Sequence, residues 1–137
     1  MRPTLALIAA LLLGGCLGPE PVDLTLRADA GQDRFYIALV VDARGEVERA
    51  NAWWAEAGQS FNTSAYRSAP GVRAAVVRND LALAHDLRVL TDGERYVVLW
   101  DSASGGATTR PGDEYEFYVL EDATGSTVAS VRLRIAR

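Results

Sequence analysis

The chain has one histidine, His85, with Asp86 beside it and serines elsewhere. These are the parts of a Ser-His-Asp system, in which the acid orients the imidazole and the imidazole takes the serine proton. The pattern stops there: no G-x-S-x-G elbow is present to expose a serine. The plainer reading of His85 is a partly exposed residue at a strand start. Carboxylates cluster at Asp113, Glu114 and Glu116, and again at Glu121 and Asp122. Loop carboxylates can hold Ca²⁺, and a carboxylate pair can cleave a glycoside. Neither cluster has the D-x-[DN]-x-[DN]-G order, and Glu114 and Glu116 alternate as the solvent face of a strand does. One histidine and one cysteine leave no thiolate or multi-histidine metal set. The expectation is a protein without metal or cofactor, and not an enzyme.

Binding residues are easier to find than reacting ones. Trp53 and Trp54 are adjacent. On a strand they face opposite sides, so one enters the core. The other can stack on a sugar or anchor a protein partner, unless the loop at 58–71 covers it. Arg132, Arg134 and Arg137 form a basic stripe at the chain end. They could meet lipid head groups, or simply guard the edge of a last strand. Asn62-Thr63-Ser64 is an N-glycosylation sequon, of consequence where exported proteins are glycosylated.

The single cysteine, Cys16, has the most informative surroundings. Arg2 is the only charge before Glu20, and Leu5 to Leu13 is an unbroken apolar run. A run this short cannot cross a hydrocarbon core of ~30 Å, but it suits the h-region of a signal peptide. Leu13-Gly14-Gly15-Cys16 then stands where a small-x-small cleavage site would be. This resembles the lipobox of prokaryotic lipoprotein signal peptides. The resemblance implies that the thiol of Cys16 receives a diacylglycerol. It also implies that a dedicated peptidase, recognising Leu13, Gly14 and Gly15, cuts before the cysteine. Two acyl chains suffice for stable anchoring. The residue after the cysteine is Leu17 rather than aspartate, which argues against inner-membrane retention if the source has an outer membrane. A few archaea use a similar box, and the sequence leaves bacterial and archaeal sources open.

Composition sets further bounds. Residues 1–15 are read as signal peptide, 16–21 as lipidated cysteine and tether, and 22–137 as one domain. Without a second cysteine the domain has no internal disulfide. All fourteen basic residues are arginine, and the net charge is −4. That mild acidity argues against nucleic acid as a partner. The tether Leu17-Gly18-Pro19-Glu20-Pro21 is stiffened by two prolines and reaches at most ~17 Å. The domain is therefore held close to its membrane.

The rest of the chain reads as short strands between turns. VDLTLRA (22–28) alternates; FYIALVV (35–41) reads as a fully buried or central strand. Residues 46–57 have a helical composition but follow a hairpin-like turn; strand is favoured over their first part. Residues 58–71 read as a loop, 72–77 as a strand, 85–90 as a short strand and 95–100 as another. A second long loop fills 102–113; EYEFYVL (114–120) and 126–136 close the chain. Seven or eight strands with frequent turns predict a mainly β fold, a single antiparallel β-sandwich. The run Arg110 to Phe117 resembles the loop-to-strand entry of immunoglobulin-like and fibronectin-type-III-like modules. In those modules a tyrosine near the strand start ties its hydroxyl to the preceding loop; Tyr115 holds that place. Small sandwiches of this kind also resemble the heads of archaeal pilin-like surface proteins, although a lipobox is not a pilin leader.

The sequence thus predicts an exported lipoprotein, anchored on the periplasmic or cell-surface side through Cys16. The expected role is non-catalytic, binding or supporting another envelope protein near the membrane. The alternatives are a surface that captures a small ligand or glycan with Trp53 or Trp54, and an unrecognised enzyme built on His85.

Overall fold

The computed structural model describes residues 20–29, 31–56, 59–106 and 108–137. The expected signal peptide, its recognition residues Leu13, Gly14 and Gly15, and Cys16 lie outside the described residues.

The mainly β expectation holds. Eight strands follow one another: β1 (Val22–Arg27), β2 (Phe35–Val41), β3 (Val47–Trp54), β4 (Arg67–Arg78), β5 (Leu81–Thr91), β6 (Tyr96–Asp101), β7 (Glu114–Glu121) and β8 (Thr127–Ala136). A 3₁₀ turn at Ser102–Gly105 follows β6. The arrangement differs from the expected antiparallel sandwich of two sheets. The strands form one sheet in the order β1-β8-β7-β4-β5-β6-β2-β3. Neighbours are antiparallel except β1 and β8, which run parallel from Val22↔Val131 to Arg27↔Ala136. The sheet curls until its two edge strands approach, where Trp54 Nε1 donates to the Arg27 carbonyl at 2.8 Å. It is a mixed sheet nearly closed as a barrel. A single sheet results because the long β4–β5 hairpin joins β7 along one part of its length and, at Leu90 and Thr91, joins β6.

Alternation builds the interior. Phe35, Ile37, Leu39 and Val41 of β2 meet Val98 and Trp100 of β6, Tyr115, Phe117 and Val119 of β7, and Val131, Leu133 and Ile135 of β8. Each such burial contributes about 1.5–3 kcal/mol. An aromatic group fills the centre: Phe35 and Tyr115 lie 5.0 Å apart edge to face, and Trp100 and Phe117 5.5 Å apart. β2 is also covered on its other face, where Tyr36 is 3% exposed. Residues of the β3–β4 loop lie over it, which explains the continuous apolar run.

The strand favoured over the first part of 46–57 is present as β3 (Val47–Trp54). Three local expectations change. β4 begins at Arg67 rather than 72 and β5 at Leu81 rather than 85. Between them, Asn79 (φ 50°) and Asp80 (φ 67°) make a two-residue hairpin turn, a conformation that asparagine and aspartate tolerate. β8 is not an edge, because β1 pairs along it. Its outward arginines therefore face neighbours: Arg132 bonds Asp23 at 3.0 Å, and Arg134 lies 3.7 Å from Glu114.

The pairing gives the molecule two ends. β1 begins beside the β2–β3 turn (42–46), the β5–β6 turn (92–95) and the β7–β8 turn (122–126). The opposite end carries the 28–34 connection, the Asn79-Asp80 turn, the 102–113 loop and Arg137; the 55–66 connection runs from that end, at Trp54, back to the first, where Arg67 pairs with Thr91.

Candidate binding surface

The far end is where the sequence's binding candidates gather. Strand β3 sets Trp53 opposite Tyr36 and Trp54 opposite Phe35. Alternation then separates the two indoles. Trp54 turns inward, edge to face with Phe35 at 6.4 Å, and its N–H is used on Arg27. Trp53 turns outward into a cluster with Tyr36 (5.9 Å) and Phe61 (6.0 Å), and Phe61 meets Tyr36 at 4.9 Å. The loop that brings Phe61 is pinned by the Tyr36 hydroxyl, which donates to the Gln59 carbonyl at 2.7 Å. Trp53 is therefore half covered by the loop, and Trp54 is packed against the core.

A charged group borders this cluster. Arg34 holds Asp101 with two bonds, of 2.9 and 2.6 Å, donates to the Tyr36 hydroxyl at 3.1 Å, and sits 5.4 Å from the Tyr36 ring. The Arg34 bond, opposed by partial burial and aided by the Ala103 N–H, keeps the Asp101 carboxyl below the usual carboxylate range. Asp101 also caps the 3₁₀ turn through that N–H.

The 102–113 loop is fastened at both ends. The Phe35 N–H donates to Ser102 Oγ at 2.9 Å, and the Thr109 N–H to the Asp33 carbonyl at 2.9 Å. Tyr115, 1% exposed, shares a 2.7 Å hydroxyl bond with Thr109. Beside the aromatic cluster the structure thus offers charged and aromatic groups that can stack and hydrogen-bond, Arg34, Asp101, Tyr36, Trp53 and Phe61.

The other candidates are not brought together. His85 and Asp86 are both exposed on β5, and Asp86 lies 3.9 Å from Arg73. Among the described residues the His85 side chain makes no hydrogen bond or ion pair. The acidic clusters are engaged in structure. Asp113 accepts from the Arg110 N–H and Asn79 Nδ2, Glu116 from the Tyr118 hydroxyl, Glu121 from Thr124, and Asp122 from Arg73. Among the described residues no group of three His, Cys, Asp or Glu side chains converges.

One feature escaped the sequence reading. An open groove of about 600 Å³ lies at the end where β1 begins, lined in part by Arg44, Glu46, Tyr96, Glu121 and Thr127. It forms because the β2–β3 turn rests on the start of β8. The turn residues were visible, but their meeting with β8 depends on the curl of the whole sheet.

The chain matches no protein-family model, no curated protein and no solved structure.

Proposed function

We propose that this chain is a membrane-anchored cell-envelope lipoprotein whose domain has a non-catalytic binding or supporting role close to the membrane surface. The observation that carries the reading is the place of the only cysteine, Cys16, after an apolar run and in the Leu13-Gly14-Gly15-Cys16 lipobox. The geometry supports a directional version of it. β1 starts at one end of the domain, so a lipid at Cys16 ties that end to the membrane. Trp53, Phe61, Arg34 and the 102–113 loop then face outward, towards an envelope partner.

The finer likeness to immunoglobulin-like modules belongs to this proposal. It is supported by the Tyr115–Thr109 tie at the start of β7; the single mixed sheet departs from it.

In-cell cross-linking, followed by purification from solubilised membranes, tests the function. One dominant partner that is lost with Cys16→Ala is the expected result. No specific partner in either sample removes the accessory role. The second reading, capture of a glycan or small ligand, is favoured by the half-covered Trp53 beside Tyr36 and Phe61. Tryptophan fluorescence against a glycan and metabolite panel separates the two, and Trp53→Phe should abolish any response.

A further inference from the structure

We propose that Asn62 is a glycan attachment site, carrying an N-linked oligosaccharide on the connection that crosses the outside of the sheet between β3 and β4. The inference rests on the export reading, because the sugar donor for this chemistry lies across the membrane. It goes beyond that reading in assigning a covalent modification to a named atom.

Several observations meet at this residue. Asn62-Thr63-Ser64 has the acceptor order N-x-[ST] with threonine, not proline, in the middle. All three residues are exposed. The residue before them, Phe61, is fixed between Tyr36 and Trp53, so the sequon projects from an anchored point. The segment turns at once, with the Tyr66 N–H donating to the Thr63 carbonyl at 3.0 Å. Within the turn the Ser64 hydroxyl and N–H both donate to Asn62 Oδ1, at 2.9 and 3.1 Å. The carboxamide oxygen is thus occupied by the sequon's own hydroxyl residue. Asn62 Nδ2 makes no hydrogen bond among the described residues and faces solvent.

The step needs a lipid-pyrophosphate-linked oligosaccharide as donor. Asn62 Nδ2 forms a bond to the anomeric carbon, the bond from that carbon to the phosphate oxygen breaks, and the lipid pyrophosphate leaves with the electron pair. One Nδ2 proton passes to a base of the transferase. No oxidant or reductant is required.

The test uses the full chain from membranes of its native cell. Trypsin cuts after Arg49 and Arg67, and no arginine or lysine lies between them, so one peptide carries the sequon. Mass spectrometry should find that peptide heavier by a series of sugar residues. Asn62→Gln and Ser64→Ala should each remove the added mass, and Ser64→Thr should keep it. The bare peptide, from chains whose Cys16 carries lipid, would overturn the glycan while leaving the anchor intact. The bare peptide from cytosolic chains with an unmodified Cys16 would overturn both.

Discussion

Tyr115 places a phenol in the centre of the core and gives its hydroxyl a single buried neighbour, Thr109. Removing one partner leaves the other polar group buried, at a cost of about 1–3 kcal/mol. Tyr115→Phe and Thr109→Val should each lower the urea midpoint of the unanchored Cys16→Ala protein. The double variant should cost clearly less than the sum, because the second change removes the stranded group. Additive losses would mean that the bond contributes nothing of its own. Asp101 offers a second residue-scale test. Its folded pKa is depressed, chiefly by Arg34. Its contribution is therefore present above the unfolded carboxylate value and lost as pH falls through the folded one. The gap in urea midpoint between the parent and Asp101→Asn should be largest near neutrality and close in acid; a constant gap would assign the loss to packing alone. At this scale the sequence was only partly legible. Tyr115 stood out because the run from Arg110 to Phe117 resembles a known loop-to-strand entry; its partner, Thr109, lies just before that run and was not named by it. The opposite facing of Trp53 and Trp54 followed from strand alternation. The Arg34–Asp101 pair joins residues 67 positions apart, and no local pattern announces it.

Between elements, the informative contacts are where backbone meets backbone. Gly45, in the β2–β3 turn, has φ +91°, and a Cβ there would stand 2.6 Å from the Val128 carbonyl oxygen. Gly112 has a similar φ of +95° but open space around it. Gly112→Ala therefore carries only the left-handed penalty, about 1–2 kcal/mol. Gly45→Ala adds a collision with β8 and should lower the urea midpoint further; equal losses would show that the turn can move away from β8. The seam between β1 and β3 makes a comparable case. Trp54 closes it through one bond to Arg27. Trp54→Phe keeps an aromatic ring in the core but frees that carbonyl, so β1 amides should exchange faster with solvent while those of β7 and β8 stay protected. Unchanged β1 exchange would show that pairing with β8 alone holds the strand. Strand content was legible because alternation and turn residues are local. The early starts of β4 and β5 were not. Pro70 and Gly71 read as loop residues, yet β4 runs through them. The LALA of 81–84 remains partly exposed, so it lacks the contrast between faces that marks a half-buried strand. The parallel β1–β8 pairing joins opposite ends of the chain and leaves no sequence signature either.

For the molecule as a whole, the order of the strands would turn the proposed anchor into an orientation. A tether of ~17 Å at most ends where β1 begins, beside the 92–95 turn and far from the 102–105 turn. The strands separating these turns are 6 to 12 residues long, and a strand advances about 3.3 Å per residue. On the proposed anchoring through Cys16, the two ends differ in distance from the membrane by roughly the length of the domain. Lipidation would make this measurable, because it consumes the only native thiol and leaves an introduced cysteine as the sole reactive one. Both Glu94 and Ser104 are exposed turn residues, so Glu94→Cys and Ser104→Cys place a thiol at either end without opening the core. In isolated membranes a bulky polymer maleimide should label Ser104→Cys several-fold faster than Glu94→Cys. A small maleimide should label both alike, and detergent should remove the difference. Equal labelling by the bulky reagent before detergent would mean that the domain does not stand with β1's start towards the bilayer. The aromatic surface at Trp53 would then lose its claim to face the partner.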